Sequence, residues 1–196
     1  MRKNFLLILI IIIITIGFLF IKVNAENNTD LKKGAIMPER KILIAYYSYS
    51  GNTKYIAEKI QKITKGDLFE IKTVKTYPKN YNEVVEEAKK EKNNDYRPEL
   101  QSKVENINEY NIVFIGTPVW WYTMAPAVKS FISENDLKGK IIIPFCTHGG
   151  GGASSTFIDM AKLLPYSKVL KGIEIYERGN ASTDKDINIW IENLDI

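Results

Sequence analysis

Hydrophobic residues along this chain alternate between short continuous runs and longer segments with helical spacing. The continuous runs lie at 42–46, 68–71, 111–116, 140–146 and 169–176. Continuous apolar character, without alternation, is typical of strands buried on both faces, as in a parallel sheet. Amphipathic segments that predict helices follow them, at 54–63, 81–92, 127–134, 154–163 and 183–194. The pattern therefore predicts an α/β domain with three layers, in which helices cover both faces of a five-stranded parallel sheet.

The first 25 residues have a different pattern. Arg2 and Lys3 precede a nearly uninterrupted apolar run, residues 5–21, and a Val-x-Ala sequence ends at Ala25. This order is typical of a secretory signal peptide, but the run is also almost long enough for an uncleaved membrane anchor. Both alternatives predict that the domain lies outside the cytoplasm, either secreted or tethered through residues 5–21 to the outer face of the cell membrane.

A polar stretch, residues 26–39, separates this leader from the first predicted strand. It contains Gly34 and Pro38 and has no apolar periodicity, so we interpret it as a linker. The folded domain is accordingly predicted to span residues 40–196.

The basic character of the chain comes mainly from the leader. The whole sequence has a formal charge of +4, and three of its 27 basic residues but none of its 23 acidic residues lie in positions 1–25. The domain itself is therefore nearly neutral, and its charge gives no indication of nucleic-acid binding. Because Cys146 is the only cysteine, the domain is expected to depend on its hydrophobic core and not on a disulfide.

The segment between the first strand and the first helix is rich in small polar residues. It offers three hydroxyl groups, an amide and a glycine within six positions: Ser48, Ser50, Gly51, Asn52 and Thr53. One of these residues would suit an ordinary helix N-cap. The whole set indicates a phosphate site instead, because backbone N–H groups and the positive end of the helix dipole converge there. Lys54 either assists or is an ordinary exposed lysine.

Two further unusual segments follow the third and fourth predicted strands. The first is Thr117, Pro118, Val119, Trp120, Trp121 and Tyr122, and the second is Thr147, His148 and the glycines at 149–152. Three consecutive aromatic residues suit a planar ring system, although such a group is also found at protein contacts. Glycines allow the backbone to approach a ligand closely. His148 either donates to a ligand or caps its own loop, and a single histidine argues against a metal site.

Ligands of open parallel sheets bind beyond the carboxyl ends of the strands, which is where all three segments are predicted to lie. A phosphate pocket, an aromatic wall and a backbone-rich third segment together describe a flavin mononucleotide (FMN) site.

The same three segments carry a resemblance to a known family. Residues 47–53 resemble the phosphate loop of flavodoxins, and Gly116 to Trp121 and Pro144 to Gly150 are similar to the second and third flavin loops. The resemblance covers residues 40–196 and implies the short-chain flavodoxin fold with strand order 2-1-3-4-5 and non-covalent FMN. It implies that Ser48, Ser50, Gly51, Asn52 and Thr53 hold the phosphate. It also implies that the ring is contacted by Thr117, Pro118, Val119, Trp120, Trp121, Thr147, His148, Gly149 and Gly150.

The resemblance implies an electron carrier that exchanges electrons with a redox partner protein or a small-molecule acceptor. The sequence departs from electron-carrying flavodoxins in two ways, so other functions stay open. The domain is not acidic, and glycines replace the tyrosine that carriers usually place over the outer flavin face. The open face favours an FMN-dependent NAD(P)H:quinone-type oxidoreductase, whereas the predicted extracytoplasmic location favours the carrier. A module that binds a protein through the aromatic segment is the third hypothesis, and the complete phosphate loop argues against it.

Overall fold

The computed structural model describes residues 40–194 and 196. The predicted leader and linker, residues 1–39, lie outside the described residues and stay predictions. Within the described part of the chain, no helix has both the length and the apolar character required to cross a membrane.

A mixed sheet forms the centre of the domain. Its strands are β1 (Ile42–Tyr46), β2 (Asp67–Glu70), β3 (Ile112–Trp120), β4 (Thr123–Met124), β5 (Ile141–His148), β6 (Lys168–Val169) and β7 (Ile173–Tyr176). The parallel strands are arranged in the order β2-β1-β3-β5, followed at the edge by β6 and β7, which both pair with β5. The predicted order 2-1-3-4-5 and the predicted three-layer α/β class are confirmed.

The sheet has seven strand segments where the sequence predicts five. The predicted fifth strand, 169–176, is divided into β6 and β7 because its register against β5 shifts by one residue between them. Gly172 lies in this interruption, where an added Cβ atom would come within 2.7 Å of the Pro144 carbonyl oxygen. The other additional segment, β4, runs antiparallel to the end of β3.

Helices cover both faces of the sheet, as predicted. They are α1 (Asn52–Thr64), α2 (Tyr81–Asn93), α3 (Pro126–Glu134), α4 (Thr156–Leu163) and α5 (Thr183–Glu192). Helices α1 and α5 pack on one face through Ile56, Ile60 and Ile187. Helices α3 and α4 pack on the other face through Phe131 and Met160. Burial of these apolar side chains, at about 25 cal/mol per Å², is the main stabilising contribution.

Three details of the helices differ from the prediction. The helical spacing of apolar residues in the sequence predicts that Tyr81 and Ala161 point inward, but both are exposed. The sequence predicts that Gly66 ends α1, but the left-handed residue that ends this helix is Lys65. Gly66 is needed for a different reason, since a Cβ atom there would lie 2.9 Å from the backbone oxygen of Ile42.

Strands β3 and β5 extend beyond their predicted ends. The sequence predicts loops from Thr117 and Thr147, yet β3 continues to Trp120 and β5 to His148, and the two pair as far as Pro118 and Thr147. Gly116 permits this close pairing, because a Cβ atom there would lie 2.1 Å from the Phe145 ring. The two predicted loops therefore begin as rigid strand, which fixes their side chains to the sheet.

Candidate functional site

A cavity of about 560 Å³ opens at the carboxyl edge of the sheet. All three unusual segments contribute to its lining. The residues predicted from the sequence that line it are Ser50, Asn52, Pro118, Val119, Trp120, Trp121, Thr147, His148 and Gly149. The volume lies in the range typical of small-molecule sites.

The remaining predicted site residues do not line the cavity, although each is adjacent in the sequence to a residue that does: Ser48, Gly51, Thr53, Thr117 and Gly150. Their observed contacts shape the loops. The Thr117 hydroxyl accepts a hydrogen bond from the Ala125 N–H at 3.0 Å, and the Gly150 N–H donates to the ring of His148.

The first loop turns directly into α1. Gly51 has a φ of +89°, and its carbonyl oxygen accepts the first helical hydrogen bond, from the Tyr55 N–H at 3.1 Å. The Ser48 hydroxyl accepts the Lys54 N–H at 3.2 Å. Within the described part of the chain, the backbone N–H groups of Asn52 and Thr53 have no protein acceptor. These free donors and the positive end of the helix dipole favour an anion at this point.

A buried hydrogen bond connects the first and third segments beneath the cavity. The hydroxyl oxygens of Thr53 and Thr147 lie 2.8 Å apart, and both residues are buried. The Thr53 hydroxyl therefore ties β5 to the start of α1, so that the two loops keep a fixed spacing.

The aromatic segment forms a tight hairpin between β3 and β4. Trp120 pairs with Thr123, which leaves Trp121 and Tyr122 as a two-residue turn with φ values of +48° and +66°. Such turns normally contain asparagine or glycine, because a positive φ is strained for bulky residues. The indole N–H of Trp121 donates to the Val85 carbonyl at 2.9 Å, and the Ser155 N–H donates to the Tyr122 carbonyl at 3.0 Å. Contacts on both sides therefore hold this turn.

The Trp120 ring is fixed by edge-to-face contacts. Its centroid lies 5.0 Å from that of Tyr77, 5.6 Å from Tyr47 and 5.9 Å from Tyr49. The Tyr77 hydroxyl in turn donates to Glu91 at 2.6 Å. Burial and this hydrogen bond raise the pKa of Tyr77, and burial raises the pKa of the Glu91 carboxyl group. These contacts hold the Trp120 ring in one orientation, which is the arrangement that a rigid aromatic wall requires.

His148 organises the glycine segment. Its Nδ1 atom accepts hydrogen bonds from the Gly150 N–H at 3.1 Å and the Gly152 N–H at 3.3 Å. An Nδ1 acceptor requires the proton of the neutral ring to be on Nε2. Of the two roles that the sequence leaves open for this residue, the observed contacts are those of a loop cap.

Two further residues, Glu174 and Cys146, lie next to the third segment. The Glu174 carboxylate accepts the Ala153 N–H, and Cys146 is fully buried. Burial raises the pKa of the Cys146 thiol to about 12, so it stays protonated near neutral pH and is not a nucleophile. The described residues contain no group of three or more His, Cys, Asp or Glu side chains able to hold a metal ion.

One complete wall of the cavity is not evident in the sequence. Helix α2 contributes Tyr81, Val84, Val85 and Ala88, and other segments add Tyr49, Tyr122, Gly151, Ser154 and Glu177. The helical spacing of the α2 residues is evident in the sequence. That spacing identifies an apolar face, but it does not distinguish a face packed on the core from one that lines a cavity.

FMN fits the residues present. The free N–H groups at the start of α1 suit a phosphate, and the half-buried Trp120 and Trp121 suit a planar apolar ring. The backbone of the glycine segment approaches the same cavity and offers polar groups for the ring edge.

Comparisons with solved structures agree with this fit. A protein from Bacteroides eggerthii DSM 20697 that is assigned as a flavoprotein is 31% identical, with a TM-score of 0.71, over 80% of this chain and 98% of its own. A flavoprotein from Lactobacillus acidophilus NCFM, solved in complex with FMN, is 25% identical, with a TM-score of 0.64, over 78% of this chain and 99% of its own.

A family model described as flavodoxin matches residues 41–194, which include every strand and helix of the domain. This match covers most of the sequence, and the fold and the strand order agree with it. The chain therefore belongs to the flavodoxin family.

Proposed function

We propose that this chain is an FMN-binding electron-transfer protein that acts outside the cytoplasm. The observation that carries the proposal is that Asn52, whose backbone N–H has no protein acceptor among the described residues, and the aromatic ring of Trp120 line the same cavity. Bound FMN would supply the redox chemistry, while the protein binds it, orients it and determines what reaches its ring.

The ionisable side chains in the cavity favour a carrier. Besides tyrosines, the titratable groups that the described residues place in the lining are His148 and Glu177. Nδ1 of His148 already accepts two backbone N–H groups, and Glu177 is exposed. A carrier needs no acid or base of its own, because electron exchange with a partner protein or a small-molecule acceptor requires only access to the ring.

One feature favours a second function, that of an FMN-dependent NAD(P)H:quinone-type oxidoreductase. At Gly149 and Gly150 an added Cβ atom would have no neighbour within 4 Å. The glycine segment therefore leaves room beside the cavity, and a hydride donor and a flat acceptor would both need such room.

The first experiment tests FMN binding. We expect the full chain, purified in a mild detergent, to be yellow with a flavin absorption spectrum, or to take up added FMN with quenching of its fluorescence. A colourless protein that ignores added FMN would contradict the site and both functions.

The second experiment separates the carrier from the enzyme. The FMN-loaded protein is mixed with NADH or NADPH without oxygen, and flavin absorbance is followed. We expect no rapid bleaching, and we expect dithionite to reduce the flavin in two resolved one-electron steps. Rapid bleaching by a nicotinamide cofactor would favour the oxidoreductase.

The location needs a separate test, because it rests on the leader. Residues 1–39 fused to a reporter enzyme that is active only outside the cytoplasm should give an active reporter. Deletion of residues 5–21 from the same fusion is the matched control and should abolish that activity. An inactive complete fusion would contradict the extracytoplasmic location without affecting FMN binding.

A further inference from the structure

Arg178 lies beside the first loop, although it is distant from that loop in the sequence. A terminal nitrogen of its guanidinium group is 3.6 Å from the position that a Cβ atom at Gly51 would occupy. The same group lies over the ring of Tyr55, 5.4 Å from the centroid. Tyr55 belongs to the first turn of α1, so the cation is next to the free N–H groups proposed to bind phosphate.

The backbone around Arg178 fixes this position. The Glu177 N–H donates to the His148 carbonyl at 2.8 Å, which attaches the turn to the third segment. The Gly179 N–H donates to the Tyr176 carbonyl at 2.7 Å, and Gly179 has a φ of +82°, which closes the turn after β7. These two hydrogen bonds fix the backbone on both sides of Arg178. The position of its guanidinium group therefore does not depend only on the flexible side chain.

The charges near the loop leave this guanidinium group available. Lys59 also lies over Tyr55, but it is paired with Asp184. Among the described residues, Arg178 has no carboxylate partner. A guanidinium group stacked on an aromatic ring keeps its N–H donors directed outward, in the planar arrangement that suits a phosphate.

We propose that Arg178 binds the phosphate of FMN and makes the site select phosphorylated flavin over riboflavin. This inference rests on the proposed function, because it requires the flavin phosphate to lie at the start of α1. It adds a cation to a loop for which the sequence predicts only hydroxyl and N–H donors. A cation next to a dianion contributes through charge as well as hydrogen bonds, so the preference for FMN should decrease as salt is added.

The test compares two ligands that differ only in the phosphate. FMN and riboflavin are titrated against the full chain by flavin fluorescence quenching, at low and high salt. We expect Arg178→Gln to weaken FMN binding roughly tenfold and to leave riboflavin binding unchanged. Arg178→Lys keeps the charge but not the planar fork, so it should retain part of the FMN affinity.

The matched control is Arg97→Gln, which removes an exposed arginine that is paired with Asp95, whereas Arg178 lies near Gly51 and Tyr55. It should leave the FMN-to-riboflavin ratio unchanged. Equal weakening of both flavins by Arg178→Gln would overturn the proposal, since it would mean that Arg178 acts only by packing on Tyr55. An unchanged FMN affinity would also overturn it. If the unmodified protein binds no FMN, both the proposed function and the role of Arg178 are contradicted. The FMN titration of the unmodified protein distinguishes this result from a failure of the Arg178 proposal by itself.

Discussion

The two ends of the cavity are built in different ways. At the end where we propose that the phosphate binds, residues 48–53, called here the phosphate end, the turn is formed by bonds between near neighbours: Ser48 bonds to a residue six positions away, and Gly51 to one in the next turn of helix. At the other end, where we propose that the flavin ring binds, called here the ring end, the hairpin of Trp121 and Tyr122 is held by residues that are distant in the sequence. Trp121 bonds to a residue 36 positions away, and Tyr122 to one 33 positions away.

This difference explains which residues each end tolerates. The phosphate turn uses a glycine at its left-handed position, so this conformation is adopted without the strain that a side chain would add. The hairpin places Trp121 and Tyr122 in left-handed conformations, each of which costs about 1–2 kcal/mol. Such strain persists only where the surrounding structure fixes it, and it is typical of ligand sites. Substitutions at the ring end should therefore weaken the binding of FMN and riboflavin alike, whereas substitutions at the phosphate end should weaken FMN binding more than riboflavin binding.

The largest effect is expected at the ring end from Trp120→Ala. Removal of a half-buried ring that packs on three tyrosines should lower the free energy of unfolding by about 3 kcal/mol. Both flavins should lose most of their affinity. Urea unfolding and flavin titration measure the two effects. Tyr166→Ala is the control: this ring is 73% exposed, so its loss should change stability by less than about 0.5 kcal/mol.

The next effect is expected at the phosphate end from Asn52→Asp. A carboxylate beside the phosphate should weaken FMN by about 2 kcal/mol through charge repulsion, with no loss of riboflavin binding. Stability should rise by a few tenths of a kcal/mol, because an acid suits the first turn of a helix.

The control for that substitution is Asn82→Asp, which adds the same charge to the first turn of α2. It should not change the affinity for either flavin. If Asn52→Asp weakened riboflavin as much as FMN, the phosphate would not lie at the start of α1.

Gly51→Ala tests whether the phosphate turn depends on its left-handed residue. At a φ of +89°, a side chain should cost about 1.5 kcal/mol of stability and should weaken FMN more than riboflavin. Gly149→Ala is the matched control for stability, since its φ is not positive and a Cβ atom there meets nothing within 4 Å. Equal destabilisation by the two substitutions would contradict this account of the turn.

The smallest effect is expected from Ser155→Ala at the ring end. The Ser155 hydroxyl lies 2.7 Å from the Tyr122 carbonyl oxygen and 2.6 Å from the Asp159 carboxylate. Loss of this hydroxyl should lower the free energy of unfolding by about 1 kcal/mol. It should also lower the affinity for both flavins equally, by a few fold. Ser167→Ala removes a similar bond, to the Leu137 carbonyl, far from the cavity. Ser167→Ala should lower the free energy of unfolding by a similar amount without changing flavin binding. A selective loss of FMN affinity in Ser155→Ala would contradict the expectation that substitutions at the ring end affect both flavins equally.

Much of the fold could be predicted from the sequence, because strands buried on both faces leave continuous apolar runs. The succession of strands and helices along the chain and the parallel sheet follow from that pattern. The split of the last strand could not be predicted. It depends on a one-residue shift in register against β5, and the apolar run itself continues through the interruption.

The candidate site was predictable to a different extent at its two ends. Its polar turn is visible because small hydroxyl residues, Gly51 and Asn52 are adjacent in the sequence. The aromatic residues are visible as a group, but their separate environments are not: Trp120 contacts tyrosines, whereas Trp121 lies beneath Lys89. The sequence does not connect Arg178 with the phosphate loop, because no local pattern relates the end of β7 to the start of α1.

The sequence by itself determined the succession of elements and the phosphate turn, since both depend on residues that are neighbours along the chain. Only the tertiary structure decided that α2 forms a wall of the cavity, that the aromatic segment is a strained hairpin and that Arg178 lies next to Gly51. The physical reason is that apolar periodicity records which face of an element avoids water. Which other element or cavity that face meets is determined only by the tertiary packing of the chain.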